Sequence, residues 1–160
     1  MLAFEKFMKK NSSVKLLIVW RHQPLDEYDF WNKISNDAKK RIVITNFLPN
    51  DELSVTLQNA LAFIHPSIYE GFGIPLVEAM ASGIPIACSN VASLPEVVGD
   101  AAILFDPYNI DEIASAMLTL ANDKKLRHSL IQKGYKQVKQ YDDIAAMIDQ
   151  YIKVMEESMT

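Results

Sequence analysis

Five short apolar runs, separated by segments of helical periodicity, constrain the fold of this 160-residue chain more than any other feature of its sequence. Continuous apolar runs are typical of parallel strands that are covered on both faces. We predict strands over residues 14–20, 41–45, 62–65, 84–88 and 101–105, and helices over residues 2–10, 25–39, 50–61, 75–82, 111–121, 124–140 and 143–157. This alternation predicts an α/β fold: a doubly wound, Rossmann-like parallel sheet of about five strands with a helical C-terminal tail.

Composition indicates a single globular domain over residues 1–160, since 49% of the chain is hydrophobic. No apolar run reaches the roughly 18 residues that cross a bilayer, and the N-terminus lacks a signal-peptide core, so we expect a cytoplasmic protein. The single cysteine, Cys88, excludes an internal disulfide and a cysteine-cluster metal site. We expect it to lie on a buried strand and to pack in the core. The histidines have no metal-site spacing, so no metal ion is predicted.

Charge is distributed unevenly along the chain, whose net charge is −4. All 16 lysines and arginines lie in residues 1–41 and 124–160, whereas residues 42–123 have none and carry 10 of the 20 acidic residues. A nucleic-acid backbone requires a cationic surface, which this central segment cannot provide. The distribution therefore argues against nucleic acid as a partner.

The segment from His65 to Glu78 leaves a predicted strand, turns through two glycines and enters a predicted helix. In open α/β sheets, ligands bind at the carboxyl ends of strands beside helix N-termini. Glycine lets a ligand approach the main chain closely, and we expect free N–H groups at Leu76, Val77 and Glu78. Such a helix start binds phosphate without a lysine. For His65 we favour a local hydrogen bond that orders the loop over a catalytic role.

Two carboxylates, Glu70 and Glu78, accompany this helix start. Carboxylates are unsuited to gripping phosphate but accept paired hydrogen bonds from vicinal hydroxyls, which sugars supply. A nucleotide sugar therefore accounts for both the amides and the acids. Two alternatives remain open at this point: Glu78 stabilises the helix dipole from a first turn, and Glu70 is a solvated loop residue.

Residues 65–106 closely resemble the C-terminal, donor-binding domain of the family 4 ("group 1") retaining glycosyltransferases of GT-B fold. The Glu70-x7-Glu78 pair matches that family's signature, with the EGFG and EAMASG sequences around it intact. Weaker similarity covers the rest of the chain, including residues 47–53 and the segment that follows the last strand. The resemblance implies transfer of a hexose, with GDP-mannose preferred, from a nucleoside diphosphate sugar to a glycan or lipid-linked acceptor in polysaccharide biosynthesis.

The resemblance also implies roles for individual residues. Glu70 would contact the donor hexose as the catalytic residue, and Glu78 would bind the ribose hydroxyls. The remaining donor-binding positions, which act mainly through the main chain, are Gly71, Phe72 and Gly73 near the sugar and diphosphate, Leu76 and Val77 at the phosphates, and Phe47 and Leu48 at the base. Retention of configuration without a metal ion or other cofactor is expected, and stabilising the charge of the diphosphate leaving group is the main catalytic task.

The sequence departs from the family in lacking a first strand with an arginine and lysine that clamp the diphosphate, and in lacking the N-terminal acceptor domain. We therefore expect a truncated donor-binding domain, inactive alone, whose sheet lacks a central strand. Arg21 is the one basic residue predicted at the ligand side, although a surface position is the alternative. Self-association, and peripheral membrane association of the full enzyme, are further expectations.

Two other functions compete with this interpretation. The first is a non-catalytic partial domain that acts as a subunit or association module, and the second is a nucleotide-sugar epimerase of GT-B architecture. A phosphorylase is excluded because residues 42–123 offer no lysine for pyridoxal phosphate. The sequence leaves the donor base and sugar, the acceptor and the oligomeric state open.

Overall fold

The computed structural model describes residues 1–19 and 29–141. Its strands are β1 (Leu16–Val19), β2 (Ile42–Thr45), β3 (Phe63–His65), β4 (Ile86–Ser89) and β5 (Ala102–Phe105). Its helices are α1 (Leu2–Met8), α2 (Asp29–Asn32), α3 (Asn36–Lys39), α4 (Asn50–Asn59), α5 (Ile74–Ala81), α6 (Leu94–Val98), α7 (Ile110–Asn122) and α8 (Lys124–Val138), followed by a 3₁₀ helix at Lys139–Tyr141. The helix predicted over 143–157 lies outside the described residues.

The strands are all parallel and form two sheets, one of β1 and β2 and one in the order β3-β4-β5. Strands alternate with helices, which confirms the predicted doubly wound α/β class. Within the described ranges, β1 pairs only with β2 and β3 only with β4. One edge of β1 and one edge of β3 are therefore without a strand neighbour in this part of the chain.

Burial differs between the two sheets. The central strand β4 is buried at every residue, as its unbroken apolar sequence predicts. The prediction of full burial is wrong for β1, because Leu17 and Val19 are each 43% exposed while their neighbours face the core. Val43, the partner of Leu17 in β2, is also exposed. Described helices thus cover only one face of the β1–β2 sheet.

Helices α1 and α7 join the sheets on one side. Ala3 of α1 packs with Ala87 and Phe105 of the three-stranded sheet, whereas Phe4 belongs to the apolar cluster around β2. Met117 of α7 contacts both clusters. A third cluster fixes α5 and α6 against the opposite face of β4. Its largest buried members are Leu76, Met80, Ile86, Cys88, Leu94, Val97 and Val98.

Two helical predictions need correction. The single helix predicted over 25–39 is, in its described part, the two short helices α2 and α3, because the Ser35 hydroxyl accepts the Ala38 N–H at 3.3 Å and starts a new helix there. Helix α6 was not predicted, since five residues are too few to show helical periodicity. No helix among the described residues has the length and apolarity needed to cross a bilayer.

Candidate functional site

The loop of residues 66–73 connects the carboxyl end of β3 to α5. Gly73 is the N-cap of α5, with φ +99° and ψ +48°, a left-handed conformation that favours glycine. A Cβ on Gly73 would lie 2.8 Å from Leu94 Cδ2, so this position also requires a hydrogen in place of a side chain. Pro75, within the first turn, has no N–H to satisfy and is pre-organised for the helix start.

Most of the amides available at this helix start lie upstream of the predicted ones. Helix α5 begins at Ile74, and the Leu76 N–H donates to the Gly73 carbonyl at 2.9 Å. The Glu78 N–H falls inside the helix, where the Ile74 carbonyl is placed to accept it, whereas the Val77 N–H makes no bond to the Gly73 carbonyl in the described residues. The prediction of a free N–H group is therefore wrong for Leu76 and Glu78, and for Val77 it stays a prediction.

Three consecutive amides of the loop take their place. In the part of the chain that the structure describes, the N–H groups of Gly71, Phe72 and Gly73 donate to no protein acceptor. Gly71 and Phe72 are exposed, and a Cβ on Gly71 would meet nothing within 4 Å. This segment can therefore offer main-chain donors to an anion.

Glu70 lies beside His65, the last residue of β3. The His65 Nε2 atom is 3.3 Å from Glu70 Oε1, and the imidazole stacks on the Phe63 ring at 5.7 Å. This distance allows charge attraction, but the alignment is not that of a hydrogen bond. Burial lowers the pKa of His65, and the nearby carboxylate of Glu70 opposes that shift only in part. The structure thus gives His65 a local contact with Glu70, and the predicted hydrogen bond is not formed.

Glu78 lies in the second turn of α5, so the first turn of that helix carries no acidic residue. The alternative in which Glu78 stabilises the helix dipole from a first turn is therefore wrong. Its exposed side chain lines a groove of about 220 Å³ between α4 and α5, together with Leu53, Leu57 and Ser82. Across the described ranges, the Glu78 carboxylate makes no hydrogen bond or ion pair.

Sequence reasoning missed Ser93, the N-cap of α6. Its hydroxyl lies 3.1 Å from the Glu70 carbonyl oxygen and 3.2 Å from the Phe72 carbonyl oxygen. The Ser93-Leu-Pro sequence is a helix-start signal that could have revealed α6, but the hydroxyl makes no cap bond to its own helix. The contact with the loop is tertiary and has no local sequence signal.

Tyr141, in the 3₁₀ helix, also reaches this loop and was not predicted to do so. Its ring meets Phe72 edge to face with centroids 5.3 Å apart, and its hydroxyl donates to the Val97 carbonyl at 3.2 Å. The loop is therefore contacted both from α6 and from the end of the helical tail.

The other predicted residues are placed as follows. Phe47 and Leu48 lie between β2 and α4, the helix that borders the groove at Glu78, and Phe47 is 63% exposed. Arg21 lies outside the described residues. Cys88 packs in the core as predicted, where burial raises the pKa of its thiol to about 12. The thiol is therefore protonated and inert at neutral pH.

No lysine or arginine among the described residues forms an ion pair with Glu70 or Glu78. The described lysine–carboxylate ion pairs join Lys6 to Asp111, Lys40 to Asp37 and Lys133 to Asp100. Among the residues that the structure describes, no three His, Cys, Asp or Glu side chains cluster as metal ligands do. The site thus combines main-chain donors with carboxylates that have no cationic partner in this part of the chain.

Comparison with known proteins places the chain among sugar-transferring enzymes. The profile of the family described as "Glycosyl transferases group 1" matches residues 1–137. The chain is 43% identical over 126 residues to the O-antigen chain mannosyltransferase B of Escherichia coli, an alignment that covers 78% of this chain and 33% of the relative. This chain thus spans about a third of that curated relative.

Solved structures share the fold. The chain superposes on the sucrose-phosphate synthase of Thermosynechococcus elongatus with a TM-score of 0.79 at 22% identity, covering 98% of this chain and 42% of that one. It superposes on the C-terminal domain of a glycosyl transferase group 1 family protein (LpcC) from Francisella tularensis with a TM-score of 0.70 at 26% identity, covering 87% of this chain and 75% of that one. The likeness extends over both sheets and their helices.

Proposed function

Since this chain belongs to the group 1 glycosyl transferases, we propose that its β3–α5 site binds a nucleoside diphosphate sugar for hexosyl transfer. The family match confirms the resemblance carried by residues 65–106. In this proposal Glu70 contacts the donor hexose and Glu78 the ribose, while the Gly71, Phe72, Gly73 and Val77 amides face the diphosphate. Leu76 is not a donor to it, because its N–H is bonded to the Gly73 carbonyl. Phe47 and Leu48 line the base.

The observation that carries the proposal is the combination of unsatisfied main-chain donors with two carboxylates that have no lysine or arginine partner among the described residues. The free N–H groups of Gly71, Phe72 and Gly73 suit phosphate oxygens. The carboxylates of Glu70 and Glu78 suit sugar hydroxyls. A ligand that carries phosphate alone, or sugar alone, would leave one of the two sets without a partner.

Mannose is the preferred donor sugar, and GDP-mannose the preferred donor. The support for mannose is the 43% identity with an O-antigen chain mannosyltransferase. We further propose that transfer retains anomeric configuration and that main-chain amides, without a metal ion, stabilise the leaving diphosphate. The relatives and neighbours compared are transferases and synthases, which favours transfer over the epimerase alternative.

We also propose that a further strand lies between β1 and β3 in the complete enzyme. The Leu16 N–H donates to Arg41 and the Phe63 N–H to Pro85, so Leu17 and Ile64 direct their backbone groups away from β2 and β4. A parallel strand there would satisfy these groups and join the two sheets. It would bring the arginine and lysine clamp that the family resemblance implies, ahead of an N-terminal acceptor domain.

A titration of the purified chain with GDP, UDP, GDP-mannose and UDP-glucose tests the donor site. Calorimetry should show binding of at least one nucleotide, and Glu78→Ala should weaken it about 10- to 100-fold, because a charged hydrogen-bond acceptor is lost. Glu96→Ala removes an exposed carboxylate from α6 and serves as the matched control. A wild-type chain that binds none of the four ligands at millimolar concentration contradicts the proposal and favours a non-catalytic association module.

A further inference from the structure

The Ser93 hydroxyl bonds to the β3–α5 loop and does not cap its own helix. The Oγ atom is within 3.2 Å of two carbonyl oxygens, those of Glu70 and Phe72, and makes no cap bond within α6. A hydroxyl has one proton, so it is shared between the two acceptors. One side chain thus holds both peptide units that flank Gly71 and Phe72.

Ser93 is anchored on a rigid part of the fold. Leu94 and Val97 of α6 are buried at 2% exposure or less and pack with Leu76 of α5. The residue before Ser93, Ala92, has φ +50°, a conformation that non-glycine residues adopt only where the surroundings fix it. The hydroxyl therefore acts from a fixed position relative to the start of α5.

Because each peptide unit is planar, these two hydrogen bonds also fix the direction of the loop amides. In a planar trans peptide the C=O and the following N–H point in opposite directions, and none of the described peptide bonds is cis. When the Glu70 and Phe72 carbonyls face Ser93, the N–H groups of Gly71 and Gly73 must both point away from it. Both amides are without a protein acceptor in the described ranges.

We infer that Ser93 is a positioning residue that turns the Gly71 and Gly73 amides toward the donor diphosphate. It also fixes the main chain of Glu70, the residue proposed to contact the hexose. The inference rests on the proposed function for its ligand, whereas the orientation of the loop itself is a property of the chain alone. The two parts can therefore be measured separately.

The first measurement is backbone order by ¹⁵N relaxation, without ligand. In Ser93→Ala the order parameters of Gly71 and Gly73 should fall from about 0.85 toward 0.6 or below, while that of Ala87, buried in β4, stays unchanged. Ser93→Thr keeps the hydroxyl and should restore both glycines. Ser115→Ala, an exposed serine on α7, is the matched control. Unchanged glycine order in Ser93→Ala overturns the inference, and so does failure of threonine to restore it.

The second measurement is the Kd for GDP-mannose and for GDP. Ser93→Ala should raise the Kd for GDP-mannose about three- to tenfold, the change expected when one hydrogen bond that orders the loop is lost. The Kd for GDP should rise less, because GDP has no hexose to contact Glu70. Equal weakening of both ligands with unchanged loop order would show a merely structural role. If the wild type binds neither ligand, the proposed function fails, and the orienting role of Ser93 is decided by the relaxation data.

Discussion

His65 shows at the scale of one residue how burial and a neighbouring charge compete. Burial lowers the pKa of the imidazole, and the Glu70 carboxylate, 3.3 Å away, does not fully offset it. The folded chain thus binds a proton on His65 less readily than the unfolded chain does. The stability that depends on neutral His65 is complete above the unfolded pKa of about 6.5 and is lost as the pH falls through the lowered folded pKa.

This competition predicts the pH dependence of stability. Urea denaturation between pH 8 and pH 5 should show the free energy of unfolding falling below about pH 6.5, and His65→Gln should make that fall shallower. His128→Gln removes an exposed histidine of α8 and should leave the wild-type slope intact. An identical slope in the wild type and His65→Gln would contradict this account of the imidazole.

At the scale of the element, the start of α5 depends on one of its two loop glycines. Gly73 has φ +99° and no room for a Cβ, since Leu94 Cδ2 would lie 2.8 Å away. Gly71 has neither constraint. Gly73→Ala should therefore lower the free energy of unfolding by about 1–3 kcal/mol, whereas Gly71→Ala should change it by no more than about 0.5 kcal/mol.

Chemical denaturation of the two variants side by side measures this difference. The pair is well matched, because both substitutions add one methyl group to the same loop. Equal losses of stability would mean that the left-handed turn at Gly73 is not what starts the helix.

The elements also show what sequence can and cannot predict. The five strands and the helix after the glycines were predicted because apolar runs and turn residues are local signals. Helix α5 nevertheless begins at Ile74 rather than at Pro75, and the Leu76 N–H is bonded to the Gly73 carbonyl instead of being free. Helix α6 escaped prediction because its five residues are stabilised by burial against α5 and β4 and not by periodicity.

The site shows the same division between local and tertiary signals. Its acids and glycines lie within residues 65–78, so spacing and the family signature together predicted them. Ser93 and Tyr141 reach the loop from 21 and more residues away in sequence. Their contacts depend on how α6 and the tail pack, which no local pattern encodes.

At the scale of the whole molecule, the three-stranded sheet and the carboxylates proposed to bind sugar both lie in segment 42–123, which has no lysine or arginine. Arg41, the last basic residue before this segment, donates to the Asn11 and Val14 carbonyls. In the proposed site the diphosphate is held by main-chain amides. The strand proposed beside β1 and β3 would add the arginine and lysine that the family resemblance implies.

The central claim is that the donor binds at the junction of β3 and α5. A ¹H–¹⁵N titration of the chain with GDP-mannose tests it most directly, because each amide reports its own surroundings. The account predicts saturable shifts that are largest at Gly71, Phe72, Gly73 and Ile74, with smaller ones along the α4–α5 groove at Glu78. Shifts that cluster elsewhere on the molecule, or none that saturate at millimolar ligand, would contradict it.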